Sequence, residues 1–263
     1  MPIDGYFHKI SYKSGWLFQG SKYLCCMKLS APFVFKQFAV RQQHAAFKVG
    51  TDSVLLGSWM NIPSHASCIV DAGTGTGILA LMMAQRSSAM IHAIEIDPLS
   101  AKDAAYNFQS SPWNNRIILH TEDITVFASH TSVRADWFIT NPPYFYHSFK
   151  SSDTRTKRAR HTDALTFHSL WQSALQVMQP DATLALILPV KEMETFIQLG
   201  ETFGWYIHRS CQVSSFAHSS PIRIMAEFRQ GKSVQTDETY LYLYEPDGRR
   251  SAAYQLLTDD FYL

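Results

Sequence analysis

The sequence predicts an α/β domain built on a mostly parallel β-sheet with helices on both faces. From about residue 66, short β-branched runs alternate with helical stretches of roughly 10–15 residues, a pattern typical of βαβ units. Two later β-type runs follow each other without a helix between them, which indicates an antiparallel hairpin at the edge of the sheet. With 263 residues, of which 46% are apolar, the chain is long enough to bury a full core.

The elements are predicted in a regular order along the chain. The first strand–helix pairs are "CIVDAG" with "ILALMMAQR" and "MIHAIEID" with "LSAKDAAYNFQ", and the next strands are "RIILHTED" and "DWFITNPP". "LWQSALQVMQ", "ATLALILP" and "EMETFIQLGETFG" continue the alternation, "WYIHRSCQVS" and "PIRIMAEFRQ" form the hairpin, and "TYLYLYEPDGRRSAAYQLLTDDFYL" adds a strand and a terminal helix. We expect residues 1–34 to form an N-terminal appendage, with partial disorder as one alternative, and residues 35–263 to form a single domain.

Composition limits the classes of protein that the chain can belong to. Lys and Arg together number 23 against 22 Asp and Glu, so nucleic-acid binding requires a local basic patch and not a global field. The four cysteines show neither metal-binding spacing nor a disulfide framework, which favours a reducing compartment. No apolar run reaches the ~18 residues needed to cross a bilayer, and the N-terminus lacks a signal-peptide cleavage pattern. We therefore expect a soluble cytoplasmic protein without a membrane or metal partner.

A glycine turn follows the first predicted strand. Gly73, Gly75 and Gly77 are spaced GxGxG and not GxGxxG, and they allow a ligand to approach the backbone closely. Asp71 places a carboxylate where a dinucleotide would place its diphosphate, so the turn favours a ligand with a cationic end. S-adenosylmethionine carries both an ammonium and a sulfonium group. The alternative is a plain strand-to-helix turn with glycines for packing.

Acidic residues follow the next two predicted strands. A ribose-binding carboxylate belongs about 20 residues after the glycine turn. Asp97 precedes Pro98 and is explained as a helix N-cap, which leaves Glu95 as the ribose ligand. Asp123, at the end of the third strand, is a candidate acceptor for an adenine amine, with a helix cap as the alternative.

A further candidate segment, "FKVGTDSVLLGSWM", precedes the first strand of the alternating pattern. Thr51 or Asp52 is expected to cap the helix that follows. The functional interpretation is a lid over the methionine end of the cofactor, with Thr51 among the cofactor-binding residues.

The stretch "NPPY" carries the candidate catalytic residues. Pro142 and Pro143 end the strand because they donate no backbone hydrogen bond, while their carbonyls can still accept. Asn141 adds an amide and Tyr144 a flat ring. A strand end with acceptors beside an aromatic platform suits a planar ligand that bears an amine. The alternative is a proline-terminated strand with core aromatics.

With these motifs in order, the chain resembles the class I S-adenosylmethionine-dependent methyltransferases. More narrowly, it resembles the tRNA adenine N6-methyltransferases that modify the adenosine just 3′ of the anticodon, position 37, in valine tRNA. The narrow resemblance covers about residues 33–263 and rests on "FKVGTDSVLLGSW", "DAGTGTGILALMMAQR", "SPWNNRIILHTEDI", "NPPY" and "AYQLLTDDFYL". It implies a Rossmann-like sheet of seven strands in the order 3-2-1-4-5-7-6 with strand 7 antiparallel.

The resemblance implies how "NPPY" would act. The Asn141 side-chain oxygen and the Pro142 carbonyl would accept the two N–H bonds of the adenine amine while Tyr144 stacks on the flipped base. Similar acceptor sets serve guanine N2 in ribosomal RNA, adenine in DNA and the glutamine amide of release factors. A protein glutamine N5-methyltransferase is therefore the alternative function, and a non-catalytic cofactor-binding module is a third hypothesis.

One local feature favours nucleic acid as the partner. Residues 150–161, "KSSDTRTKRARH", directly follow the substrate motif and carry five Lys and Arg against one Asp. Such a run is usually a solvated face, but beside a base-binding loop it favours phosphate contacts with tRNA. The proposed substrate-binding residues are Arg155, Lys157, Arg158 and Arg160.

Overall fold

The computed structural model describes residues 31–45, 47–63, 65–142, 166–232 and 236–263. Within these ranges the strands are β1 (Phe33–Val34), β2 (Ala39–Val40), β3 (Cys68–Ala72), β4 (Met90–Ile94), β5 (Ile117–His120), β6 (Ala135–Thr140), β7 (Met178–Leu188), β8 (Trp205–Phe216), β9 (Arg223–Gln230) and β10 (Asp237–Tyr244). The helices are α1 (Thr51–Trp59), α2 (Ile78–Arg86), α3 (Pro98–Gln109), α4 (Ile124–His130), α5 (Phe167–Val177), α6 (Val190–Thr202) and α7 (Ala252–Thr258).

The main sheet has the order β5-β4-β3-β6-β7-β9-β8-β10. β9 pairs antiparallel with β7 and β8, and the other neighbouring strands pair parallel. Counted from β3, this is the expected order 3-2-1-4-5-7-6 with strand 7 antiparallel. The predicted α/β class, strand order and antiparallel hairpin are therefore confirmed.

The count of seven strands that the resemblance implied was wrong, because the strand predicted at "TYLYLY" forms β10 and adds an eighth. It pairs parallel with β8, with Leu241 opposite Val213. Leu241 and Leu243 are only 7% and 6% exposed and join the core that contains Val213. The hairpin therefore does not form the edge of the sheet. The edge strand is β10, because without it the apolar residues of β8 beside it would be exposed to water.

The sheet is buried on both faces by two hydrophobic clusters. One cluster contains the buried apolar residues of α1, α2 and α7 with part of α3, and the other contains the buried apolar residues of α4, α5 and α6. This double cover explains why β7 reads as the near-continuous apolar run "ATLALILP" instead of an alternating one.

The central parallel strands bring their carboxyl ends to one edge. In the register, Ala72 of β3 lies between Ile94 of β4 and Thr140 of β6. The next residue of each strand, Glu95, Gly73 and Asn141, therefore begins at the same edge of the sheet. Ligands of open α/β sheets bind at this edge.

Candidate functional site

The glycine turn between β3 and α2 adopts a backbone that other residues rarely take. Gly73, Gly75 and Gly77 have φ values of 72°, 60° and 84°. A Cβ at Gly77 would lie 2.3 Å from the Phe108 ring of α3, whereas at Gly73 and Gly75 it would meet no described atom within 4 Å. Gly77 is therefore required by close packing, and the other two leave open space above the turn.

Asp71, in β3, is fully buried beneath this turn. Its Oδ2 accepts hydrogen bonds from Thr74 Oγ1 and from the backbone N–H of Ala80, at 3.1 Å for the latter. The residue at the N-cap of α2 is Gly77, which has no side chain, so Asp71 satisfies an N–H of the first helical turn in its place.

The second oxygen of Asp71 is the part of the residue that suits a cofactor. Oδ1 is buried and has no hydrogen-bond partner among the residues that the structure describes. Burial raises the pKa of this carboxyl to about 7. A buried acceptor of this kind fits the cationic methionine end of S-adenosylmethionine, whose charge would favour the ionised carboxylate.

Glu95 lies directly after β4, and its side chain is held by two backbone N–H groups. Oε2 accepts from Gly75 N and Oε1 from Asp97 N, both at 2.8 Å. Its side chain is mostly buried, and burial raises the pKa of the carboxyl against the opposing effect of these hydrogen bonds. Each carboxylate oxygen can accept more than one hydrogen bond, so the same group can also receive ribose hydroxyls.

Ile96 is a residue of the site that the sequence analysis missed. It follows Glu95 directly, and 63% of it is exposed, which is unusual for an isoleucine. It therefore offers an apolar surface beside the proposed ribose ligand. Its exposure could not be read from the sequence, where it belongs to the strand-like stretch "MIHAIEID".

Two acidic residues cap helices as their sequence positions indicated. The Asp97 side chain accepts from Ser100 N at 2.9 Å, with Pro98 at the first position of α3, so its assignment as an N-cap is confirmed.

The Asp123 side chain accepts from Thr125 N at 2.7 Å and caps α4. β5 ends at His120, so placing Asp123 at the strand terminus was wrong and its alternative as a cap is confirmed. Its role toward adenine stays a prediction.

The segment before α1 is fixed to α3 by two buried polar residues that the sequence analysis missed. Asp103 Oδ2 accepts from His44 N and Ala45 N at 2.6 and 2.9 Å. Asn107 donates from Nδ2 to the carbonyls of Arg41 and Thr76 at 2.9 and 2.8 Å. Asn107 thus joins this segment to the glycine turn. Two polar residues four apart on the buried face of a helix were the signal that could have identified them.

α1 begins beside the acceptor end of the site. Gly50 is at the N-cap, so the expectation that Thr51 or Asp52 caps the helix was wrong: Thr51 is its first residue. The Asp52 side chain instead forms an ion pair with Arg223 of β9 at 2.9 Å. This contact holds the first turn of α1 against the sheet. The cofactor role of Thr51 stays a prediction.

Asn141 and Pro142 follow β6 next to the glycine turn. Thr140 Oγ1 donates to the carbonyl of Ala72 at 2.8 Å, which ties the end of β6 to the end of β3. The half-buried Asn141 donates from Nδ2 to Ser53 Oγ of α1 at 2.8 Å, and Pro142 is buried. Tyr144 and the proposed tRNA-binding residues lie outside the described residues. These are Arg155, Lys157, Arg158 and Arg160.

The part of the chain that the structure describes contains neither a metal-binding cluster nor a helix suited to crossing a membrane. Within it, no group of three or more His, Cys, Asp and Glu side chains is arranged to hold a metal ion. None of its helices combines the length and the apolar character that crossing a membrane requires.

The chain is similar in sequence to a family of methyltransferases. The methyltransferase small domain family model matches residues 40–204. A tRNA1(Val) (adenine(37)-N6)-methyltransferase of Tolumonas auensis is 42% identical over 234 residues, which are 88% of this chain and 96% of that protein. The protein of the same name from Pectobacterium carotovorum is 37% identical over 88% of this chain and 93% of its own length.

Solved structures share the fold. A predicted O-methyltransferase of Agrobacterium tumefaciens matches with a TM-score of 0.62 at 18% identity, over 80% of this chain and 96% of that one. A candidate class I S-adenosylmethionine-dependent methyltransferase of Listeria monocytogenes matches with a TM-score of 0.52 at 12% identity, over 79% and 68%. At these identities the likeness concerns the fold alone.

Proposed function

Because the chain belongs to the family of tRNA1(Val) (adenine(37)-N6)-methyltransferases, we propose that it methylates the exocyclic N6 amine of adenosine 37 in tRNA1(Val). S-adenosylmethionine supplies the methyl group from a positively charged sulfur. The chain is thus an S-adenosylmethionine-dependent methyltransferase, and its proposed compartment is the cytoplasm, in keeping with its cysteine pattern.

One observation carries the proposal: the register that aligns Ile94, Ala72 and Thr140 across three strands. The residues that follow them are the proposed ribose ligand Glu95, the glycine turn and the proposed amine acceptor Asn141. A donor held at the turn would therefore lie next to an amine held at Asn141. Positioning of this kind can supply most of the catalysis in a methyl transfer.

The residues around the turn fit the cofactor by their chemistry. We propose that Glu95 binds the ribose hydroxyls, that Gly73, Gly75 and Gly77 form the cradle, and that Asp71 Oδ1 faces the cationic methionine end. Asp123 and Thr51 are proposed to contact the adenine and methionine ends. Two observations on the described part of the chain support this assignment: a Cβ at Gly73 or Gly75 would meet no atom there within 4 Å, and the buried Oδ1 of Asp71 has no hydrogen-bond partner there.

The acceptors after β6 would activate the amine. The lone pair of an adenine N6 nitrogen is delocalised into the ring, which makes it a poor nucleophile. When the Asn141 side-chain oxygen and the Pro142 carbonyl each accept one N–H, the nitrogen is drawn toward a tetrahedral arrangement. Its lone pair can then face the methyl group, and no strong base is needed before transfer.

Tyr144 and the basic segment complete the proposal on the substrate side. Tyr144 would stack on the target base after the base has left its neighbours, a contact worth ~1–3 kcal/mol. The four cations of the segment would bind tRNA phosphates close to that base. They are Arg155, Lys157, Arg158 and Arg160.

The function is tested by offering labelled S-adenosylmethionine with one class of acceptor at a time. Bulk tRNA, ribosomal RNA, DNA and release factor are incubated separately, and the digested products are analysed by mass. We expect N6-methyladenosine in valine tRNA and background label in the other three. Methylated glutamine in the release factor, with unlabelled tRNA, would establish the alternative function instead.

Glu95→Ala is expected to weaken S-adenosylmethionine binding by about 1–3 kcal/mol, because two hydroxyl hydrogen bonds to a charged acceptor are lost. Glu95→Gln is the matched control: its amide oxygen can still accept from one of the backbone N–H groups of Gly75 and Asp97, whereas its NH2 end opposes the other. It should therefore lose only part of the affinity that Glu95→Ala loses. Titration calorimetry measures both affinities, and melting curves show whether each variant is folded. If folded Glu95→Ala binds S-adenosylmethionine with unchanged affinity, Glu95 is not a cofactor ligand.

A further inference from the structure

Ser53 of α1 contacts the side chain of Asn141, the proposed amine acceptor. It is the third residue of α1, is 9% exposed, and receives a hydrogen bond of 2.8 Å from Asn141 Nδ2. The two residues are 88 positions apart in the chain. A buried contact between such distant segments, at the end of the strand that carries the acceptor, is a specific feature of this fold.

We propose that Ser53 is a positioning residue for methyl transfer, which orients the Asn141 amide so that its oxygen accepts an N–H of the target amine. The proposal rests on the proposed role of Asn141. Ser53 does not touch the substrate itself. It acts through the amide of Asn141.

The two ends of an amide explain why its orientation matters. A carboxamide has an acceptor oxygen at one end and a donor NH2 group at the other. The target amine also presents N–H donors, so an amide turned by 180° would oppose donor to donor. By accepting from Nδ2, Ser53 holds the donor end away from the substrate and leaves the oxygen end directed to the other side of the amide plane.

The support behind Ser53 is rigid. The next three residues of α1, Val54, Leu55 and Leu56, are 0% exposed and belong to one of the two main clusters. The preceding residue, Asp52, is paired with Arg223 of β9. Packing on one side and an ion pair on the other fix the helix, which is what a positioning residue needs from its surroundings.

The same helix supplies a matched control. Ser58 is 8% exposed, and its Oγ has no hydrogen-bond partner in the part of the chain that the structure describes. Ser58→Ala therefore removes a buried hydroxyl from α1 without touching Asn141. Ser53→Thr retains the hydroxyl at the position of interest and serves as the conservative variant.

The test is the single-turnover rate of methyl transfer with valine tRNA and S-adenosylmethionine both saturating. Ser53→Ala should lower this rate roughly threefold to tenfold, the effect of one neutral hydrogen bond, with the tRNA KM and the cofactor affinity within twofold of wild type. Ser58→Ala should keep the wild-type rate, and Ser53→Thr should recover most of the loss. Melting curves establish that each variant is folded.

Three outcomes would overturn the proposal. They are a Ser53→Ala rate within twofold of Ser58→Ala, a loss confined to KM, and a folded Ser53→Thr variant as slow as Ser53→Ala. Asn141→Ala, measured in parallel, separates this proposal from the proposed function. If Asn141→Ala is inactive and Ser53→Ala is not affected, only the role of Ser53 fails. If Asn141→Ala remains active, the proposed chemistry of the acceptor fails as well.

Discussion

Asn141→Ala is expected to reduce methyl transfer by about two to three orders of magnitude while cofactor affinity and melting temperature stay near wild type. The size follows from other sites in which one preorganised polar group that stabilises the reacting atoms has been removed. Without the amide oxygen, one N–H of the target amine loses its acceptor. The nitrogen then stays closer to planar, and its lone pair remains in the ring.

The fold has little reason to depend on this side chain. Asn141 is half-buried, and the hydrogen bond to Ser53 is one neutral contact at the end of a strand whose pairing with β3 and β7 is untouched. Single-turnover kinetics, calorimetry with S-adenosylmethionine and thermal melting together measure the three quantities. A variant that keeps most of its turnover would exclude the proposed mechanism.

Gly77→Ala is expected to destabilise the fold by roughly 2–5 kcal/mol, from backbone strain of ~1–2 kcal/mol and overpacking of ~1–3 kcal/mol. Gly77 has a φ of 84°, and an added Cβ would lie 2.3 Å from an atom of the Phe108 ring. That ring is 4% exposed within the core and has little room to move. The glycine turn should shift as a result, so cofactor affinity should fall together with stability.

Gly204→Ala is the matched control for Gly77→Ala. Gly204 has a φ of 76°, and its Cβ would meet no described atom within 4 Å. This variant should show only the strain, about 1–2 kcal/mol, and should bind S-adenosylmethionine as wild type does. Denaturant unfolding gives both free energies. Equal losses in the two variants would show that the contact with Phe108 contributes nothing.

Local patterns and the family resemblance together predicted the part of the fold that carries the site. The alternation of short strands and helices indicated the parallel sheet, "GTGTG" located the turn, and Asp97 before Pro98 was correctly assigned as a cap. These features are encoded within a few neighbouring residues, where periodicity and turn chemistry act.

The features that could not be predicted from sequence depend on contacts between distant segments of the chain. The hydrogen bond from Asn141 to Ser53 and the link from Asn107 to Thr76 leave no local signature. A strand at "TYLYLY" was predicted, but its pairing with β8 at the edge of the sheet was not, because that pairing follows from apolar surface that β8 alone would leave uncovered. The position of Asp71 at the end of the first predicted strand could be predicted from sequence. Its hydrogen bond to the backbone N–H of Ala80 at the start of α2 could not, because it joins two different elements.

The contact between Asp71 and Ala80 has a consequence for the thermodynamics of cofactor binding. Because a side chain of the central strand holds the start of α2, the intervening turn is preorganised before any cofactor arrives. Ordering a flexible backbone opposes binding by ~1–2 kcal/mol of conformational entropy per residue, and here that entropy is already lost when the domain folds. Favourable contacts with the donor therefore appear more fully as affinity. The Asp71 carboxylate therefore contributes both to the stability of the folded domain and to the affinity of the glycine turn for the cofactor.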